Sequence, residues 1–254
     1  VTQTEHPDTD LPSLNHLRAA TSLPGSKPLS VGILVGPGFI PMDMVGVQTV
    51  FGLMPGARIH LIWKSRELVE GFPSWWTLPT MDFASCPDTL DVFAVPMLPP
   101  ELLDDREVIA FVARQAASAR YVIGICNGVV MLGAAGALRG RRVTASLSAL
   151  ATLADLDVAE IVPAGAGVVV DGNLYTAGPG IGSFEAALRV AAAEFGVQAG
   201  EMAELLIEYD PHPPFGTGTV QGASPAQVAQ FEGLMAGVAT QYRDAATRAL
   251  EKAA

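Results

Sequence analysis

One uncharged run governs what this chain can become. Between Arg120 and Arg139, residues 121–138 read YVIGICNGVVMLGAAGAL without a single charge. A bilayer-spanning helix takes about 20 predominantly apolar residues. This run carries four glycines and a Cys-Asn pair near its centre, which argues against a membrane span. It divides more naturally in two. Residues 121–125 are apolar and partly β-branched, as a buried parallel strand requires. Residues 129–138 are small and apolar and run into Arg139-Gly140, a helix stop. The junction, Gly124-Ile125-Cys126-Asn127-Gly128, has the spacing G-x-C-x-G. That is a cysteine version of the nucleophile elbow, a tight strand-to-helix turn that lifts one side chain above the end of a sheet.

A thiol there sits at a helix N-terminus, where unpaired N–H groups and the helix dipole favour the anion. An ordinary cysteine titrates near ~8.5, so a downward shift of about 2 units would make thiolate the main form at neutral pH. Two readings of Cys126 stand at this point: an activated nucleophile, or a small side chain filling the space between strand and helix.

The chain has 254 residues, half of them hydrophobic and 16% charged, which is enough for one large α/β domain or two small ones. A net charge of −11 disfavours nucleic acid and anionic membranes as partners. The two cysteines, Cys86 and Cys126, form no metal-binding spacing and no disulfide framework, and a reducing cytoplasm is the expected setting. The first residues lack the basic and apolar regions of a secretory signal.

Strand-like and helical segments alternate along most of the length. Residues 1–28 form a polar tail. Strands are expected at 30–36, 58–64, 91–96, 121–125 and 142–145. Helices are expected at 42–53, 104–119, 129–138, 146–156, 183–195, 201–208 and 224–252. Asp171-Gly172 between apolar runs marks a β-hairpin over 168–176, and 68–82 reads as irregular. This rhythm means βαβ units: an α/β domain over 29–220 with a mainly parallel sheet and helices on both faces, followed by a C-terminal helix within 221–254 that packs on the domain or on a partner subunit. Such sheets carry their sites at the carboxyl ends of the strands. The loops at 37–41 and 97–100 and the elbow all follow strands that can end on that edge.

An elbow cysteine needs a proton partner and donors for developing negative charge. Asp43, just after the first strand, is the acid candidate; it could equally be a solvent-facing residue in a first helical turn. The N–H of Asn127 is the natural oxyanion donor. Gly38 and Met97 lie in the two neighbouring loops, and Ser146 follows the next strand; these are candidate substrate contacts. Histidine is poorly placed: His6 and His16 lie in the tail, His60 within a strand, His212 in a proline-rich loop. No G-x-G-x-x-G phosphate loop and no metal-ligand spacing occurs.

Several segments together resemble the DJ-1/PfpI superfamily, and within it the isonitrile hydratase group. They are the first strand with Pro37-Gly38-Phe39 and Met42-Asp43-Met44; the strand at 91–96; Ile125-Cys126-Asn127-Gly128; the segment 170–178; and Glu208-Tyr209-Asp210-Pro211-His212-Pro213-Pro214-Phe215. The resemblance implies a flavodoxin-like three-layer sandwich, a homodimer and a cofactor-free, metal-free site. It carries the nucleophile onto Cys126 and the partner acid onto Asp43. The implied reaction adds water to a small-molecule isonitrile, giving an N-substituted formamide. The chain departs from the family at three places. Pro96-Met97-Leu98 replaces Pro-Gly-Gly, Thr144-Ala145-Ser146-Leu147 replaces Thr-Thr-His-Trp, and Gly180-Ile181-Gly182-Ser183 replaces Ala-Gly-Ile-Asp. These departures keep two further readings open: an enzyme acting on another small carbon electrophile, and a non-catalytic ligand or oxidation sensor.

Overall fold

The computed structural model describes residues 28–253; the expected tail lies almost entirely outside them. In chain order the elements are β1 (Leu29–Leu34), α1 (Pro41–Gly52), β2 (Ala57–Trp63), β3 (Val69–Gly71), β4 (Trp75–Thr77), β5 (Met81–Asp82) and β6 (Val92–Val95). After a 3-10 turn at Pro100–Asp104 come α2 (Arg106–Ser118), β7 (Tyr121–Ile125), α3 (Gly128–Ala134), β8 (Arg142–Val143), α4 (Leu150–Leu153) and β9 (Glu160–Ile161). The last are β10 (Val169–Asp171), β11 (Leu174–Ala177), α5 (Ile181–Phe195), α6 (Val197–Leu206) and α7 (Pro225–Ala253).

The main sheet has seven strands in the order β10-β11-β7-β6-β1-β2-β5. Every pair in it is parallel except the β10–β11 hairpin. β1, β6 and β7 are apolar and buried almost throughout, as strands covered on both faces must be. One helical layer is α1 packed on α5 and α5 on α6; the other is α2 on α3, with α7 across α3, α4 and the 3-10 turn. This is the α/β flavodoxin-like sandwich. The chain reverses its direction of travel between β1 and β6, and a doubly wound sheet opens a crevice at such a point.

Most expected elements appear, and three differences stand out. Residues 68–82 are not irregular: they hold the β3–β4 hairpin and β5, with Trp75 and Trp76 exposed on β4. The helix expected over 146–156 shrinks to the single turn of α4, because Ser146 and Ser148 spend their hydroxyls on Asn127 instead of capping. The helix after the elbow stops at Ala134, and Gly136 and Gly140 take positive φ in the turns that follow. Asp105 caps α2, accepting from the N–H groups of Glu107 and Val108. Among the described residues no helix is long and apolar enough to cross a membrane. Cys86 and Cys126 are both free thiols.

α1 and α5 approach so closely that a Cβ on Gly46 would overlap Ser183 Oγ and the backbone nitrogen of Phe184. Both neighbours belong to a rigid first helical turn. Gly46→Ala is therefore expected to cost about 1–3 kcal/mol, and a domain of this size loses about 2–4 °C in Tm per kcal/mol. Calorimetry of the variant checks this; an unchanged Tm would mean that the two helices slide apart freely.

Candidate active site

Cys126 leaves β7 with φ 57, a left-handed conformation rarely taken by a residue with a side chain. Its N–H donates to Ala177 O at 3.0 Å, so the strand ladder holds the residue on one side while α3 starts on the other. Gly128 makes the turn possible: a Cβ there would overlap the carbonyl oxygen of Val95, in the neighbouring strand. The elbow expected from G-x-C-x-G is therefore present, and Cys126 lines a cavity.

The Asp43 carboxyl is within interaction range of this thiol. Asp43 is completely buried although it sits in the first turn of α1. One of its oxygens accepts the Gly180 N–H at 2.7 Å and the other the Met97 N–H at 3.1 Å. Three strand-end loops thus converge on one carboxyl group. Gly180, with φ 60, opens α5, and Ser183 fixes that turn by donating to Met42 O at 2.9 Å. Burial raises the Asp43 pKa above 3.8, while the two N–H groups and the thiol pull it back.

The structure reverses the thiolate expected from the sequence. The Cys126 thiol is pushed up to about 12, first by burial and then by the charge of Asp43; the Asn127 N–H and the Ser146 hydroxyl act weakly in the other direction. α3 has only seven residues, and its dipole is outweighed. The two perturbations have one origin. A thiol beside a carboxylate favours the negative charge on oxygen and disfavours it on sulfur.

Asn127 does not cap α3 with its side chain. Its Oδ1 accepts from Ser146 Oγ in a short contact, from Ser148 Oγ at 3.4 Å and from the Cys126 thiol at 3.8 Å. The thiol thus has two oxygens at hand, Asn127 Oδ1 and the Asp43 carboxylate, of which a charged oxygen is the stronger acceptor. Ser146, standing where the family has histidine, thus reaches the sulfur's surroundings through Asn127. Two sequence candidates have other duties. Gly38 donates its N–H to Glu70 O at 2.7 Å and has none left for an oxyanion. Met97 spends its N–H on Asp43, so it orients the acid and does not bind substrate through that group. His212 is exposed beside Asp210 at 3.6 Å, in a loop that does not reach the sulfur.

Two contributors escaped the sequence reading. Gly180 is one. The other is Tyr242, the largest fully buried side chain, which reaches in from α7 and donates its hydroxyl to Leu98 O. That bond fixes the loop whose Met97 N–H holds Asp43. A lone tyrosine on the otherwise Ala-rich face of residues 242–249 was the available signal. Beside the elbow lies a cavity of about 760 Å3, lined by Cys126, Ser146 and Ser148 on one side and by α7 on the other.

The chain is similar to known proteins along most of its length. The DJ-1/PfpI family profile matches residues 29–193. The chain is 36% identical over 203 residues to isonitrile hydratase from Pseudomonas putida, covering 79% of this chain and 87% of that protein. A THiJ/PfpI family protein from Pseudomonas syringae superposes with a TM-score of 0.82 at 30% identity, over 96% of this chain and 98% of the other. A DJ-1 superfamily protein from Salmonella typhimurium superposes with a TM-score of 0.59 at 26% identity, over 72% of this chain and all of the other. With the elbow cysteine, the loop acid and the sheet order all in hand, the chain belongs to the DJ-1/PfpI family.

Proposed function

We propose that this protein hydrates isonitriles, converting R–N≡C and water into R–NH–CHO, with Cys126 as nucleophile and Asp43 as proton carrier. The observation that carries the reading is the buried carboxyl of Asp43 within interaction range of the Cys126 thiol, with both carboxylate oxygens fixed by N–H donors. The similarity to isonitrile hydratase supplies the substrate.

The steps follow from where the protons rest. Asp43 takes the thiol proton as sulfur bonds to the terminal carbon, and returns it to that same carbon. The product is a thioimidate, R–N=CH–S–Cys126. The regenerated carboxylate then removes a proton from water as oxygen adds to the carbon, and Asp43 delivers that proton to nitrogen. In R–NH–CH(OH)–S–Cys126 the hydroxyl proton passes through Asp43 to sulfur as the C–S bond breaks. Formamide leaves, and thiol and carboxylate are restored. The sequence uses only water, one thiol and one carboxyl. No basic amine is expelled, so the absence of a histidine matters less than it would in peptide hydrolysis. A thiol pushed up to about 12 is a poor target for peroxide, which weighs against the sensor reading.

Cys126→Ala and Cys126→Ser are expected to abolish formamide formation, followed by the loss of the isonitrile infrared band; turnover at the native rate by either protein would end the proposal. Asp43→Asn should lower kcat by about 10²–10⁴-fold, and it also sets an amide NH2 against a backbone N–H.

The pH dependence has a definite sign. The carboxylate form of Asp43 is needed, and burial raises its titration above 3.8. The rate therefore falls as pH drops through that raised value and holds on the alkaline side through neutrality. A profile that instead rises only as the thiol ionises on its own would show that Asp43 is not the proton acceptor.

A homodimer, implied by the family resemblance, is part of the proposal. Phe72, Trp75 and Trp76 on the β3–β4 hairpin are exposed and offer an apolar face to cover. Light scattering of the purified protein measures the mass directly, and a monomer at micromolar concentration overturns this part.

A further inference from the structure

Two groups of oxygen atoms surround the Cys126 thiol. One is the buried Asp43 carboxyl. The other is a row of side chains that the hydration steps above leave unused: Asn127, Ser146 and Ser148. Ser146 Oγ donates to Asn127 Oδ1 in a short contact, Ser148 Oγ lies 3.4 Å from the same oxygen, and the two hydroxyl oxygens are 3.1 Å apart. The segment that carries the serines is well fixed. The Thr144 N–H donates to Thr176 Oγ1 of β11 at 2.9 Å, and the Ala149 N–H closes a turn on Ser146 O at 2.9 Å.

Counting protons gives the row a direction. A serine hydroxyl has one proton and two lone pairs. The proton of Ser146 goes to Asn127 Oδ1. That of Ser148 goes to Asn127 Oδ1 or to Ser146 Oγ. Once the sulfur is bonded to carbon it is only a weak acceptor, so neither proton turns towards it. Both protons therefore point inward along the row, and what the row offers outward is lone pairs. Ser146 is only 5% exposed, Ser148 is half-buried, and both line the cavity beside the sulfur. Ser148 Oγ is thus the outer end of the row, an acceptor with no proton left to give. Neither serine can act as an oxyanion donor while the row is intact.

Two acceptors near one reacting carbon select a reactant with two protons to donate. The isonitrile group carries none, and neither does the thioimidate nitrogen. Water carries two. We infer that Ser148 Oγ holds the attacking water by accepting one of its O–H groups, while the Asp43 carboxylate removes the other proton as oxygen bonds to the thioimidate carbon. The step balances as hydration: R–N=CH–S–Cys126 and H2O give R–NH–CH(OH)–S–Cys126, with the proton taken by Asp43 passed to nitrogen and the Ser148 proton unmoved. Ser148 is the water-positioning residue, and Ser146 and Asn127 behind it keep its lone pairs turned outward. The inference rests on the hydration reading above and assigns a residue to its second half alone, since sulfur attack and protonation of carbon make no use of Ser148.

The two halves are timed separately by mixing benzyl isonitrile with excess protein, quenching rapidly and weighing the intact chain by mass spectrometry. The thioimidate adds the mass of one isonitrile to Cys126, and its decay matches the appearance of formamide. In Ser148→Ala the adduct is expected to form within about twofold of the native rate and to persist about tenfold longer or more, because a lost hydrogen bond is compounded by a misplaced nucleophile. Ser148→Thr keeps the oxygen and should hydrolyse its adduct within about threefold of the native rate. A merely structural disturbance slows both halves together and is not rescued by threonine.

An adduct that fails to outlast the native one in Ser148→Ala, formation and decay slowed by the same factor, or a threonine variant as slow as the alanine variant overturns the inference, and formamide production by the native protein leaves hydration standing. A native protein that yields neither adduct nor formamide overturns the hydration reading, and the role of Ser148 falls with it.

Discussion

A single carboxyl group without access to water organises this molecule. Asp43 is buried, and an isolated ionised carboxylate in such surroundings would be very costly. It is tolerated because three elements meet on it: the Met97 N–H from the loop after β6, the Gly180 N–H at the head of α5, and the Cys126 thiol from the elbow after β7. Each partner is separately fixed. α5 is pinned to α1 through Ser183, the 97–98 loop is pinned to α7 through Tyr242, and the elbow is pinned to β11 through its own N–H. The topology matters because β1, β6, β7 and β11 are parallel, so their following loops all open on one edge of the sheet.

The same burial that fixes the acid decides where the proton rests. A helix N-terminus favours a thiolate, but α3 is short, and the low-dielectric pocket together with a neighbouring anion favours the thiol. In the proposed reaction Cys126 becomes a nucleophile only as its proton is taken. This suits an electrophile like an isonitrile, whose terminal carbon must receive a proton as well as a nucleophile. A permanently charged sulfur would lack that proton.

Much of this was readable from residue order. Alternation of apolar runs and helical segments yields the parallel sheet, Asp171-Gly172 yields the hairpin, and G-x-C-x-G yields the elbow, because each depends on local stereochemistry. Asp43 was found as a candidate, but its burial was not, since a first-turn aspartate is ordinarily solvated and only the long-range approach of Gly180 encloses it. The strands within 68–82 were hidden because they are very short and carry their tryptophans outward. Gly38 and Met97 were placed in the correct loops with the wrong duties, since which N–H meets which acceptor depends on loop conformation. Tyr242 is 144 residues away from Leu98, beyond the reach of any local pattern.

The Tyr242–Leu98 bond also bears on where this protein can be divided. The family profile matches only as far as residue 193, yet the hydroxyl that satisfies a buried carbonyl beside the acid comes from α7, well after that point. A fragment cut at the profile boundary would retain Cys126 and Asp43 and still strand that carbonyl, vacating the seat of a large buried ring. The unit that folds is longer than the stretch the family profile matches, and its last helix acts as a splint on the first loops.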